Sequence, residues 1–67
     1  MDHVPVKRSA HIVSVGYDQG KMQISFHNGE TYEYSVPSHI HKGLMGAGSK
    51  GSFFHKFISR HYQGVKI

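Results

Sequence analysis

The hydrophobic pattern of this chain changes its period near Pro37, and this change constrains the fold more than any other feature. In residues 21–27, Met22, Ile24 and Phe26 alternate with polar side chains. Strict alternation is the period of a strand with one face buried. Beyond Pro37 the apolar residues follow one another at helical spacing instead. The sequence therefore predicts an α+β fold, with strands first and helices second.

Three strands are predicted before the change of period, at residues 10–17, 21–27 and 31–36. In the first strand, one face would contain Val13, Val15 and Tyr17. Strong turn signals separate the strands, namely residues 18–20 and the Asn28-Gly29 pair. The expected sheet is a three-stranded antiparallel meander.

Two short helices are predicted after Pro37, which suits a first helical turn. Glycines should end the first helix within three turns, and Ser49 is a candidate N-cap for the second. One arc of the second helix collects Phe53, Phe54, Phe57 and Ile58. Gly64 is expected to end this helix. The predicted order is β-β-β-α-α, with both helices packed on one face of the sheet.

The chain has 67 residues, which is room for one domain, and residues 1–9 are interpreted as a loose lead-in. The absence of cysteine excludes disulfides, thiolate metal sites and a cysteine nucleophile. No apolar run has the length of a membrane span, and the N-terminus lacks the core of a signal peptide. We therefore expect a cytoplasmic protein.

Charge is divided unevenly between the two halves. Residues 1–35 contain three cationic and four acidic side chains, whereas residues 36–67 contain five cationic side chains and no acid. An acid-free basic half indicates an anionic partner, most often nucleic acid. The alternative is a basic surface that only keeps a small protein in solution.

Candidate phosphate contacts lie in this basic half. Lys56 and Arg60 are four residues apart on one helix flank, and with Lys42 and Lys50 they could follow a phosphate backbone. Residues 48–52 read Gly-Ser-Lys-Gly-Ser before the second helix, where backbone N–H groups could meet a phosphate. The spacing is not that of a P-loop. An ordinary serine-capped helix start explains the same residues.

The meaning of Tyr32 and Tyr34 depends on the hairpin register. A two-residue Asn28-Gly29 turn would place both rings on the face away from Ile24, as a platform for stacked bases. A three-residue loop with Gly29 left-handed would instead bring Tyr32 opposite Ile24 and Tyr34 opposite Met22, on the core face. We favour the core-facing register.

Neither a metal site nor a catalytic site is predicted. His39, His41 and His55 could be metal ligands, but no acid follows Glu33 and zinc needs three or four convergent ligands. No nucleophile–base set or pair of close carboxylates stands out. We therefore expect no enzyme activity and no cofactor.

Taken together, several of these motifs resemble the KTSC domain family over about residues 9–67. They are Val15-Gly16-Tyr17-Asp18, Phe26 with Gly29, Tyr32-Glu33-Tyr34, Val36-Pro37, Ala47, Ser49-Lys50-Gly51, Phe54, Ile58 and Tyr62. His55 departs from the polar, asparagine-like residue expected there. The family takes its name from a C-terminal segment of some lysyl-tRNA synthetases and includes stand-alone bacterial and phage proteins, so the resemblance implies RNA as a partner.

The leading hypothesis is a non-enzymatic module for RNA or another single-stranded nucleic acid. Lys42, Lys50, Lys56 and Arg60 would neutralise phosphates, and Tyr32 and Tyr34 would stack on bases if exposed. The alternative is a protein-interaction module, such as a phage-encoded modulator of a host protein or a small homo-oligomer. Free sheet edges and incompletely buried aromatic residues favour the alternative.

Overall fold

The computed structural model describes residues 2–7 and 9–67 and confirms the α+β class. Its sheet has five strands rather than the predicted three, in the order β1 to β5, each antiparallel to its neighbour. The elements are β1 His3–Pro5, β2 Ile12–Asp18, β3 Lys21–Phe26, β4 Thr31–Ser35, α1 Ser38–Gly46, α2 Lys50–Phe53, a π-helical turn Phe54–Ile58, and β5 Val65–Lys66. Met1 and Arg8, which belong to the predicted lead-in, lie outside the described residues.

The first unpredicted strand, β1, lies in the segment expected to be a loose lead-in. Val4 pairs with Val15 of β2, and the ring of His3 is held by two hydrogen bonds. Its Nδ1 lies 2.9 Å from Ser14 Oγ and its Nε2 lies 3.0 Å from Gln23 Oε1. Three residues are too few to display an alternating pattern, so the sequence does not predict this strand, which pairs with β2 and is also held by the contacts of His3.

The second unpredicted strand, β5, lies where the sequence predicts the end of the last helix. Val65 pairs with Glu33 and Lys66 with Tyr32 of β4. Lys66 Nζ also forms a 2.8 Å ion pair with Glu30 Oε2. This hydrogen bond lowers the pKa of Glu30 and raises the pKa of Lys66. The helix instead ends at Ile58, so the expectation that Gly64 ends it was wrong.

A β-bulge changes which side chains of β2 face the core. The register with β3 shifts between Ile12 and Ser14, so Ile12 is fully buried while Val13 is 40% exposed. The prediction that Val13 shares the inner face with Val15 was therefore wrong. A bulge adds one residue to one strand and reverses the alternation of inward and outward side chains. No pattern in residues 10–17 predicts this bulge.

The β3–β4 hairpin has the register that brings the tyrosines to the core face. Gly29 has φ +88°, and Phe26 N–H donates to Glu30 O at 2.9 Å across a three-residue loop. Tyr32 consequently lies opposite Ile24, and Tyr34 opposite Met22. Glycine suits this loop because the left-handed conformation is unfavourable for most other residues.

The core lies between the sheet and the helices. Its buried residues are Ile12, Val15, Met22, Ile24, Tyr34 and Val36 from the sheet side, with Leu44 and Ile58 from the helical layer. Ser49 caps α2 as predicted, because its Oγ accepts from the N–H of Ser52 at 3.4 Å. In the described part of the chain, no helix is both long and apolar enough to cross a membrane.

Candidate nucleic-acid interface

Three of the four side chains predicted to contact phosphates are exposed to solvent. Lys42 on α1, Lys56 in the π-helical turn and Arg60 just after it are all exposed. Among residues 2–7 and 9–67 the only ion pair is that of Lys66 with Glu30, so these three cations lack an acidic partner there. Lys50 differs, because it is half-buried and its Nζ donates to Ala47 O at 3.2 Å.

Phe57 is an exposed aromatic residue next to Lys56 in the sequence and three residues before Arg60. Its side chain is 49% exposed, and its ring centroid lies 4.8 Å from that of Phe53 with the planes tilted by 44°. Phe53 in turn lies over Gly43 of α1, where a Cβ would be 2.7 Å from Phe53 Cζ. The Phe53–Phe57 pair therefore lies against α1, with half of the Phe57 side chain open to solvent.

The π-helical turn explains why sequence reasoning missed Phe57. Ser59 N–H donates to Phe54 O at 2.8 Å, a span of five residues instead of the four of an α-helix. The extra residue rotates the predicted apolar arc, so Ile58 is fully buried while Phe57 turns outward. The expectation that Phe57 belongs to the core arc was wrong. Single π turns are frequent at functional sites, but residues 54–58 carry no pattern that distinguishes one.

Tyr32 and Tyr34 could stack on bases only if their rings were exposed, and Tyr34 is buried. Tyr34 is 6% exposed, and its ring centroid lies 5.5 Å from that of Phe54 in an edge-on contact. Burial, and then the neighbouring Tyr32, raise the pKa of Tyr34. Tyr32 is half-buried, edge-on to Phe26 at 5.9 Å, and its hydroxyl donates to Glu30 Oε1 at 3.3 Å. Both rings pack against the protein itself.

The histidines do not form a cluster. The His41 ring stacks on Tyr17 with centroids 4.5 Å apart and planes 7° from parallel, and the Tyr17 hydroxyl donates to Val36 O at 2.9 Å. Burial, and then the charge of Lys42, lower the pKa of His41. Within the described residues, no three His, Asp or Glu side chains converge as metal ligands.

An open cleft lies between the start of β2 and α2. It encloses about 790 Å³, and its lining includes Lys50 and His55. His55, which departs from the expected family pattern, therefore lines a cavity that the sequence alone did not reveal. The signal that could have found it is the Gly-Ser-Lys-Gly-Ser segment, which forms one wall of the cleft.

Fold and site define a small α+β domain in which helices cover one face of an antiparallel meander and carry an acid-free basic surface. The model of the KTSC domain matches residues 8–62, and the chain belongs to the KTSC domain family. The crystal structure of a KTSC domain protein from Yersinia pestis is similar, with 38% sequence identity and a TM-score of 0.88. That match covers 98% of this chain and 96% of the other. The comparison with curated proteins found no match.

Proposed function

We propose that this KTSC domain is a non-enzymatic module that binds single-stranded nucleic acid, RNA in preference, through its helical surface. The helical surface is defined by Phe57 with Lys42, Lys56 and Arg60. The observation that carries the proposal is the position of Phe57, an exposed ring in a half of the chain that has five cations and no acid.

Two interactions would contribute to binding, base stacking on the ring of Phe57 and phosphate neutralisation by the cations. An exposed ring offers a face to any base, and such stacking contributes about 1–3 kcal/mol per base. Lys56 and Arg60 flank Phe57 in the sequence and are exposed, so they can neutralise the phosphates on either side of a stacked base. A duplex keeps its bases stacked inside and would lose the contribution of Phe57.

The preference for RNA rests on the resemblance of the chain to domains attached to lysyl-tRNA synthetases. A cytoplasmic location, where RNA is accessible, is part of the same proposal. The choice of ligand in a binding experiment tests the preference for RNA.

The direct test is fluorescence anisotropy with labelled single-stranded RNA, single-stranded DNA and duplexes. We expect single-stranded RNA to bind best and Phe57→Ala to weaken its binding about tenfold, the equivalent of losing one stacked base. Phe57 is half-exposed, so the variant should retain its fold, which circular dichroism would check. Equal binding of wild type and Phe57→Ala, or tighter binding of duplexes, would contradict the proposal.

A second candidate function, a protein-interaction module, is favoured by the apolar residues at the last edge strand. Val65 and Ile67 are 61% and 60% exposed, and the free side of β5 could pair with another strand. Sedimentation velocity over a concentration series measures self-association, and the variant pair Val65→Lys and Ile67→Lys should abolish any that occurs. A monomer at all concentrations would rule out the homo-oligomer and leave only a different partner protein.

A further inference from the structure

The cleft of about 790 Å³ between the start of β2 and α2 has the dimensions of a ligand site. Sites for small ligands commonly enclose about 300–1,000 Å³ and combine apolar walls with a few polar groups. The cleft lies outside the helical surface, because neither Phe57 nor Lys56 nor Arg60 lines it.

Two aromatic rings form the apolar part of the cleft. Phe26 of β3 and Phe54 of the π-helical turn both line it, with centroids 5.5 Å apart and planes at 66°. Both are half-buried, and each makes an edge-on contact with a tyrosine, Phe26 with Tyr32 and Phe54 with Tyr34. Rigid, partly exposed rings of this kind suit a flat aromatic or heterocyclic group.

The polar part of the cleft has the charge expected for an anion. Its lining includes Lys50, His11 and His55, and none of the lining residues described is acidic. Lys50 donates one proton to Ala47 O at 3.2 Å, which holds its amine at the wall and leaves two further donors for a ligand. The hydroxyl of Ser52 adds a neutral donor and acceptor at the same wall.

We propose that this cleft binds one nucleotide, with the base against Phe26 and Phe54 and the phosphate near Lys50, His11 and His55. The inference deepens the proposed function and rests on it, since it adds a pocket for one unit of the same ligand class. The nucleotide can be a free mononucleotide or the phosphorylated end of a strand, which present the same chemical groups.

The test is an NMR titration of the full chain with adenosine 5′-monophosphate and uridine 5′-monophosphate, with adenosine and inorganic phosphate as partial ligands. We expect saturable shifts at the amides of residues 10–11 and 48–52, with each partial ligand binding more weakly than the nucleotide. Failure of both nucleotides to shift these amides at millimolar concentration would overturn the inference, as would equal shifts from phosphate alone.

Two serine variants supply a matched pair. Ser52→Glu places a carboxylate at the cleft and should weaken nucleotide binding about tenfold, the effect of one nearby like charge. This variant should fold, because a glutamate three residues after Ser49 completes a capping box. Ser59→Glu adds the same charge to an exposed residue that does not line the cleft and should change binding less than twofold. Equal weakening by both variants would overturn the inference.

Oligonucleotides separate this inference from the proposed function. Loss of strand binding in Phe57→Ala with the mononucleotide shifts retained would support the cleft as a separate site. Intact strand binding without mononucleotide shifts would overturn the cleft alone. A short RNA bearing a 5′-phosphate that binds more tightly than its 5′-hydroxyl form assigns the cleft to strand ends, whereas equal binding assigns it to free nucleotides.

Discussion

At the scale of single residues, His41 links the stability of the domain to pH. Its ring stacks on Tyr17, and burial together with Lys42 lowers its pKa. The folded protein therefore prefers the neutral ring. This contribution to stability is complete above about pH 6.5, the usual pKa of an unfolded histidine, and is lost as the pH falls through the lower pKa of the folded state.

We predict that His41→Phe, which keeps a ring against Tyr17, loses less stability than wild type between pH 7 and pH 5. Thermal unfolding at several pH values measures the difference between the two proteins. A parallel decline in Tm for both would show that His41 does not contribute to the acid sensitivity.

Gly64 is required by close packing against a buried ring. A Cβ at this position would lie 2.6 Å from both Cε2 and Cζ of Tyr34, and Tyr34 cannot move aside because it is buried. Gly64→Ala should therefore destabilise the fold by about 1–3 kcal/mol, the usual effect of overpacking, as measured by urea denaturation. Gly46 ends α1 with no atom within 4 Å of its added Cβ, so Gly46→Ala should be neutral or stabilising.

At the scale of elements, the side chain of His3 adds to the backbone pairing of the first strand. The His3 ring binds Ser14 of β2 and reaches across β2 to Gln23 of β3. Gln23 in turn donates to Glu33 at 3.2 Å. These contacts join β1 to β3 and β4, although β1 pairs directly only with β2.

We predict that His3→Ala frees β1 while the rest of the sheet persists. The amide of Val6, which donates to Val13 O at 2.8 Å, should exchange with solvent faster, whereas the amide of Ile24 should not. His39→Ala removes an exposed imidazole from α1 and serves as the control. Unchanged protection of Val6 in His3→Ala would mean that backbone pairing alone holds β1.

The elements that sequence reasoning predicted are those with enough residues to show a period. Strands β3 and β4 alternate over five or six residues, and Ser49 before α2 has the chemistry of an N-cap. The elements β1 and β5 have three and two residues. No pattern can emerge from so few positions, and both are held by contacts with residues distant in the sequence.

The sequence predicted which cations belong to the candidate site, but it did not predict the exposure of Phe57. Lys42, Lys56 and Arg60 are exposed, as is usual for charged side chains that form no ion pair. Two irregularities, the bulge at Val13 and the π-helical turn before Ser59, each add one residue to a regular element and change the direction in which the neighbouring side chains point. Because of the π-helical turn, Phe57 is exposed and does not lie in the predicted core arc.

At the scale of the whole molecule, cations occur in both parts of the chain, whereas acidic side chains are absent from the helical layer. All four acids of the chain precede residue 36, in the part that forms β1 to β4, whereas the helical layer has cations alone. Lys7 and Lys21 are exposed cations of the first half, which makes their double replacement a matched control for Lys56 and Arg60.

The salt dependence of single-stranded RNA binding, measured for wild type and three variants, tests whether the helical surface binds the phosphates. For single strands, log K falls with log salt by about 0.7 per phosphate neutralised. We predict that Lys56→Ala with Arg60→Ala makes the slope shallower by about 1.4, whereas Lys7→Ala with Lys21→Ala leaves it unchanged. Phe57→Ala should lower affinity at every salt concentration without altering the slope. Equal slopes for the two double variants, or no binding by wild type at low salt, would contradict the proposed function.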